Sequence, residues 1–350
     1  MSIYSKTCLN FTNRGTLILN KIYGVVKLSN FIRISIFLLI AATEGLAENF
    51  TTPIHSTNQY TNQVLMYRPY TNTAVIQEDQ HITMSISQSN IFQKSTNLLA
   101  DFGLTTLDFI YTVPLTKNCE FSFEYPFYYV SRGFLDKPLD FVHTTLGITT
   151  TRENQGHIDN QLTYRVTNKI AKKNPYFASG NTQIEIKYLL YNKKKLSFAM
   201  NAGIKIPLGK PSDGFTNGKV DYMYGIALQK EYHSVAWVAN AVLTYNGERR
   251  LSQEIVSKRV RYFFFLANQF SLKSLLPLTF FDRWKFLFAY QYLSAPYESQ
   301  DKKFSSYSHF LQFALRNYLD KERYLELFFN QNTIPRNNEA DVTFGLTYHF

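Results

Sequence analysis

The chain has 350 residues, a net charge of +11, 16% aromatic residues and only 18% charged ones. The positive excess is thinly spread, with residues 193–195 as its densest run, which gives a nucleic-acid-binding surface no support. Of two cysteines, Cys8 lies in an N-terminal leader and Cys119 stands alone after it, which excludes an intramolecular disulfide and a cysteine-based metal site in the mature chain.

The leader is read from its pattern. Lys27 and Arg33 precede an apolar run over residues 34–43, and Gly45-Leu46-Ala47 follows with small residues at the cleavage positions. Such a run spans about 10 residues, too short for a membrane helix, so residues 1–47 are expected to be a secretory signal peptide. Its long basic part is explained by a translation start near Val25 or Val26. After residue 47 no apolar run approaches the ~18 residues of a spanning helix. Yet there are 25 Tyr and 30 Phe to place. Distributed over many alternating strands of about 9–11 residues, they suit a lipid-facing wall with interfacial girdles.

Residues 48–79 are polar, Thr/Asn-rich and weakly periodic, and are expected to form an N-terminal extension or plug in the lumen or periplasm. Alternation begins at His81, with Ile82, Met84 and Ile86 on one side. From residue 97 to 113, Leu107, Phe109, Tyr111 and Val113 oppose Asp108, Ile110 and Thr112, and Gly103 is a candidate break or bulge. From 119 to 130, Phe121, Phe123, Tyr125, Phe127 and Tyr129 oppose Glu120, Ser122, Glu124 and Tyr128. Carboxylates behind a run of aromatics point to water or a polar lumen. Residues 131–152 change pattern. Asp136-Lys137-Pro138 reads as a helix start with Asp136 as N-cap, and Gly147 suits its end.

From residue 181 onward nine strands follow, closing with Val342, Phe344, Leu346, Tyr348 and Phe350 on one face of residues 341–350. Short connections near 192–195, 231–234 and 318–322 alternate with longer ones near 207–219, 247–257, 295–303 and 333–339, as the periplasmic turns and outer loops of a membrane barrel do. An all-β transmembrane antiparallel barrel over residues 80–350 is expected, and such barrels close with an even strand count. Taking residues 92–113 as one bent strand gives 12. Splitting it and adding residues 158–170 gives 14. Twelve is the primary expectation, and it puts residues 131–180 outside.

Two resemblances extend this. The closing strand, ending Tyr348-His349-Phe350, resembles the assembly signal of Gram-negative outer-membrane β-barrels, which implies recognition of Phe350 and Tyr348 by the barrel-assembly machinery. Gly133-Phe134-Leu135-Asp136, then Leu139-Asp140-Phe141, His143, Leu146-Gly147 and Arg152, resemble the core of an uncharacterised family of bacterial outer-membrane proteins, a domain of unknown function. Lys205-Ile206-Pro207-Leu208-Gly209, with Gly218 and Asp221, is similar to that family's second signature. The resemblance covers roughly residues 80–235 and departs from the family pattern at Arg132, where Gly is usual, and at Leu208, where Thr is. It implies an outer-membrane location, contact with lipid and lipopolysaccharide, and no known activity.

For function, Asp136, Asp140 and His143 share one helix face and could hold a metal or act as acid and base, but the favoured reading is a helix cap at Asp136 and loop anchors at Asp140 and His143. His309 is in phase with Tyr307, Leu311 and Phe313, on the lipid or interface side, and His349 faces inward. No Gly-x-Ser-x-Gly, His-Glu-x-x-His or phosphate loop occurs, which leaves a lipid hydrolase the weakest reading, and no metal or other cofactor is expected. Inward positions Glu120, Glu124, Glu185, Lys187, Asn201, Lys205, Asp221, Asn240 and Arg316 mix both signs and imply a wet lumen. A narrow pore or passive carrier for small solutes is therefore expected, with Lys205, Asp221, Glu185, Lys187 and Glu124 as lumen or gate residues. The alternative is a structural or adhesive surface barrel plugged by its N-terminal extension.

Overall fold

A chain whose alternating strands run nearly end to end must dispose of two sheet edges, and this one does so by closing the sheet on itself. The structure, a computed structural model, describes residues 54, 59–133, 135–145, 159–232, 235–276, 278–320, 322–332 and 342–350. The signal-peptide reading over residues 1–47 lies outside them. Twelve barrel strands follow in order: β1 (His81–Lys94), β2 (Leu98–Thr116), β3 (Cys119–Ser131), β4 (Asn181–Lys193), β5 (Leu196–Pro207), β6 (Asp221–Tyr232), β7 (Val235–Tyr245), β8 (Val260–Ser271), β9 (Trp284–Leu293), β10 (Ser308–Tyr318), β11 (Tyr324–Asn332) and β12 (Val342–His349). Each pairs antiparallel with the next, and β12 returns to β1 with Thr83 opposite His349 and Asn90 opposite Val342. Phe350 completes that seam, its amide donating to the Ile82 carbonyl at 3.0 Å and its carbonyl accepting from the Ile82 amide at 2.7 Å.

The period-2 reading fixes which face each side chain takes. On β6, Tyr222, Tyr224, Ile226 and Leu228 stand outward, and Tyr224 is 61% exposed; the intervening Asp221, Met223, Ala227 and Gln229 are buried inside. Apolar side chains of this size left bare around a whole cylinder are a lipid-facing belt, because no soluble surface carries so many. Among the described residues no helix is long and apolar enough to cross a membrane, and the crossing is made by strands. Tyr262, Phe264 and Tyr292 cluster at 6.1–6.3 Å on the outward face of β8 and β9, and Tyr307 and His309 join Tyr292 there. An aromatic girdle at a membrane interface has this composition.

Three expectations need correction. Residues 92–113 are not one bent strand: Phe92 belongs to β1, and the chain turns before Leu98 opens β2. Gly103 neither breaks nor bulges β2, since its pairing with Asn90 and with Ser131 stays in register; the irregularity falls between Pro114 and Thr116, where proline cannot donate to the ladder. Residues 158–170 contribute no spanning strand. Thr163–Val166 and Ile170–Lys172 form a short hairpin that extends β2 beyond the belt, too short to cross.

The odd-numbered strands start at one end of the barrel, where the turns at residues 117–118 and 194–195 lie, and the loops over 208–220, 246–259 and 294–307 lie at the other, the long-loop end. The turn at Lys194 and Lys195 has φ of 52° and 61°, the two-residue geometry whose twist matches a hairpin. The helix expected in the long loop runs Asp136–Thr145. Within it Phe141 is 72% exposed.

Candidate functional site

The bore is occupied by the chain's own residues 59–77. Tyr60, Val64, Leu65 and Met66, with one helical turn at Thr61–Val64, sit at the long-loop end in an apolar cluster with Leu98, Phe102, Tyr164, Phe215, Leu251, Tyr297 and Phe304. Those partners come from β2, from the hairpin and from three loops, so the outer mouth folds inward around the segment. Below it, Tyr67 packs with Met223, Val242, Phe263 and Phe265, and further down Ala74 packs with Ala199 and Ala227. Ile54 lies among Ala236, Val238, Ala267, Leu287, Ala289, Ala314 and Phe328 on the inner wall of β7 to β11. Gly203 is required where the segment passes closest: a Cβ there would stand 2.5 Å from the Tyr67 hydroxyl.

Below the apolar mouth the wall holds the segment by side chains. The Tyr67 amide donates to Asp221 Oδ2 at 2.9 Å, the Arg68 amide to Gln183 Oε1 at 2.6 Å, and the Asn72 amide to Asn240 Oδ1 at 2.8 Å. The Gln77 amide donates to Glu120 Oε2 at 3.1 Å, while Asn240 Nδ2 and Gln183 Nε2 donate to the Asn72 and Arg68 carbonyls at 2.8 and 3.2 Å. Among the described residues, no backbone-to-backbone bond joins residues 67–77 to a barrel strand. Pro69, which has no amide hydrogen, would interrupt such a ladder in any case.

Charge on the wall is mostly self-neutralised by register. Lys205 and Asp221 are direct cross-strand partners of β5 and β6 and pair at 2.8 Å, both with side chains 0% exposed. Glu120 and Lys187 are partners of β3 and β4 and pair at 2.8 Å; Arg316 and Glu326 are partners of β10 and β11 and pair at 2.7 Å. Glu185, Arg261 and Lys285 also face inward with no oppositely charged residue opposite them in register, and the acids of β2 and β3 are matched from outside the wall. Asp108 and Glu124 converge on Arg68 of the segment, whose Nη2 is 2.5 Å from Asp108 Oδ1 and also donates to Glu124 Oε1. Gln183 orients the other Glu124 oxygen at 2.6 Å, and the Tyr128 hydroxyl lies 3.5 Å from Arg68 Nη1. Glu185 accepts from Asn72 and Asn201 at 2.5 and 2.9 Å and from the Tyr67 hydroxyl at 3.4 Å.

Lys205, Asp221, Glu185, Lys187 and Glu124, the residues expected from alternation to line the lumen, are inside, and each meets residues 65–77 directly, Lys187 by donating to Asn72 Oδ1 and Thr73 Oγ1 at 3.4 Å. Lys205 donates to the Leu65 carbonyl at 3.4 Å and to Asn217, and Asp221 also takes the Gly247 amide at 2.8 Å. The second motif region is therefore a hub between the segment and two loops; Pro207 and Gly209 close β5 beside it. Arg68 and Asp108 were not singled out. Asp108 stood in inward phase opposite Leu107, which was the available signal; Arg68 had none, since its neighbours lack periodicity.

The first motif region divides. Asp136 is buried, and its carboxylate accepts from Asn90 Nδ2 of β1 and from the Asn160 amide, each at 3.0 Å, which ties the loop to the barrel. Gly133 must stay small, because a Cβ would collide with that carboxylate. The side chains of Asp140 and His143, and residues Phe134, Gly147 and Arg152, lie outside what is described. Among the described residues no group of His, Cys, Asp and Glu could hold a metal ion. His349 is buried, bonded to Thr83 at 2.8 Å and stacked on Tyr324 at 4.6 Å, and His309 faces outward beside Tyr290.

A family profile described as "Protein of unknown function (DUF3187)" matches residues 31–350. No curated protein matches the chain. The COG4313 outer membrane channel from Pseudomonas putida F1 superposes with a TM-score of 0.52 at 10% identity, over 81% of this chain and 97% of that one. The KdgM porin in complex with disordered oligogalacturonate gives 0.42 at 7% identity over 77% and 98%, and the NanC porin 0.44 at 6% over 77% and 97%. The first likeness speaks for the fold alone, and the two weaker ones carry no argument.

Proposed function

The chain belongs to the DUF3187 family of proteins of unknown function, and from that premise we propose that it is a small-solute channel of a Gram-negative outer membrane that rests shut, with residues 59–77 as the closure. The observation that carries this reading is the manner of filling. A polar, charged wall is covered by a separate stretch of chain that hangs on wall side chains and takes no part in the sheet, so withdrawing it breaks no strand pairing. Water can replace each of those hydrogen bonds at a net cost of about 0.5–1.5 kcal/mol apiece. Docking by the apolar mouth adds several kcal/mol, because Tyr60, Val64, Leu65 and Met66 are all buried there. The resting barrel is therefore silent, and opening needs an input that weakens the docking. Export, lipid contact and insertion through Phe350 belong to the same reading, supported by the apolar belt and the sealed β1–β12 seam.

A second reading, a permanently plugged surface barrel, draws on the same apolar mouth. The two separate in planar bilayers with full-length protein carrying Cys8→Ser, Cys119→Ser, Ala74→Cys and either Ala199→Cys or Ala227→Cys, chosen because Ala74 packs on both. The channel reading predicts stepwise current in moderate urea, abolished by oxidising the cysteine pair and restored by reductant. Silence in both redox states up to barrel unfolding would establish the plugged barrel instead.

A further inference from the structure

The inward acids are not neutralised alike. Glu120, Asp221 and Glu326 each have a basic partner in register on the neighbouring strand, at 2.7–2.8 Å. Asp108 and Glu124 are matched by a guanidinium that arrives on the closing segment. These two carboxylates are not read alone: a cation from outside the wall is seated on them, both are buried, and Gln183 presets Glu124 from the next strand. With the segment withdrawn, the wall would present two carboxylates with their cation removed, next to Tyr128 and one strand from Glu185.

We infer that Arg68 holds the place a permeating cation takes in the open channel, and that Asp108 and Glu124 make the channel select cations, guanidinium and ammonium solutes above all. The inference rests on the channel reading and names its solute class. The chemistry is specific: a planar guanidinium donates to both carboxylates at once, whereas an anion at the same height meets two like charges in a narrow, poorly screened bore. The three self-paired sites each add one charge of either sign, and the inward cations Arg261 and Lys285 stand on β8 and β9, six strands away across the bore, so the selecting charge is local to Asp108 and Glu124.

The test uses the full-length protein in planar bilayers, opened with moderate urea, under a KCl gradient. The reversal potential is expected to show K⁺ preferred over Cl⁻ by roughly fivefold, the order two nearby carboxylates give in a water-filled pore. Agmatine, which carries a guanidinium and an ammonium, is expected to block the open current, and an equal concentration of an alkyl sulfonate is not. Asp108→Asn with Glu124→Gln should open at lower urea, bring the permeability ratio close to unity and abolish the agmatine block. Should that variant fail to fold, the wild-type reversal potential and block decide alone. Current that is unselective or anion-selective, with no agmatine block, overturns the inference and leaves the channel reading standing. A barrel that never conducts overturns both.

Discussion

The two halves of the bore are closed by different physics. At the long-loop end, Tyr60, Val64, Leu65 and Met66 are packed among aromatic and aliphatic side chains from three loops and a hairpin. From Tyr67 to Gln77 the same stretch of chain is held by carboxylates, amides and an arginine. Apolar packing has no substitute in water, but a hydrogen bond to a wall side chain does. The comparison teaches that the outer half anchors the segment, while the inner half specifies its path and can yield to water first.

The largest effect should come from the inner half's ion pairing at Arg68. Arg68→Ala leaves Asp108 and Glu124 buried without their cation and is expected to weaken docking by roughly 3–5 kcal/mol, read as a fall in the urea midpoint for opening. An unchanged midpoint would mean that water already screens the site. In the outer half, Val64→Ala should cost about 2 kcal/mol on the same scale through lost burial and the cavity left behind. If Val64→Ala outweighs Arg68→Ala, the ranking of the two halves is reversed. Asn240→Ala removes bonds to both the amide and the carbonyl of Asn72, for about 1–2 kcal/mol, visible as faster hydrogen exchange confined to residues near 72.

The smallest effect lies outside both halves and serves as a control. In the 319–323 turn, the Arg323 and Glu322 amides and the Arg323 guanidinium hold the exposed Asp320 carboxyl down to about 2, from an ordinary 3.8. A depressed carboxyl contributes stability above its ordinary value and loses it as pH falls from near 3.8 through about 2. Asp320→Asn should remove that local acid sensitivity and leave the opening midpoint alone. A shifted midpoint would show that the turn and the segment are coupled.

Much of the wall was legible because period 2 assigns each residue a face: Glu120, Glu124, Lys205 and Asp221 were placed inward by counting alone. Ion pairing was not, since it depends on register between strands, which turn geometry and the bulges near Pro114 and Leu189 decide. The turn between Phe92 and Leu98 lacks glycine and proline, and Ser95 and Asn97, turn formers through their side chains, are its weaker signal in the sequence. The course of residues 59–77 was out of reach for a deeper reason. Its conformation is imposed by side chains from at least six strands, so nothing periodic is left in the segment itself.

The central claim is that the segment leaves while the barrel stays. It is tested most directly by single-cysteine labelling of full-length Ala74→Cys in a Cys8→Ser, Cys119→Ser background with a membrane-impermeant maleimide across a urea series, alongside the β-sheet circular dichroism of the same sample. The account predicts that position 74 becomes reactive at clearly lower urea than the sheet signal is lost. Coincidence of the two transitions would contradict it.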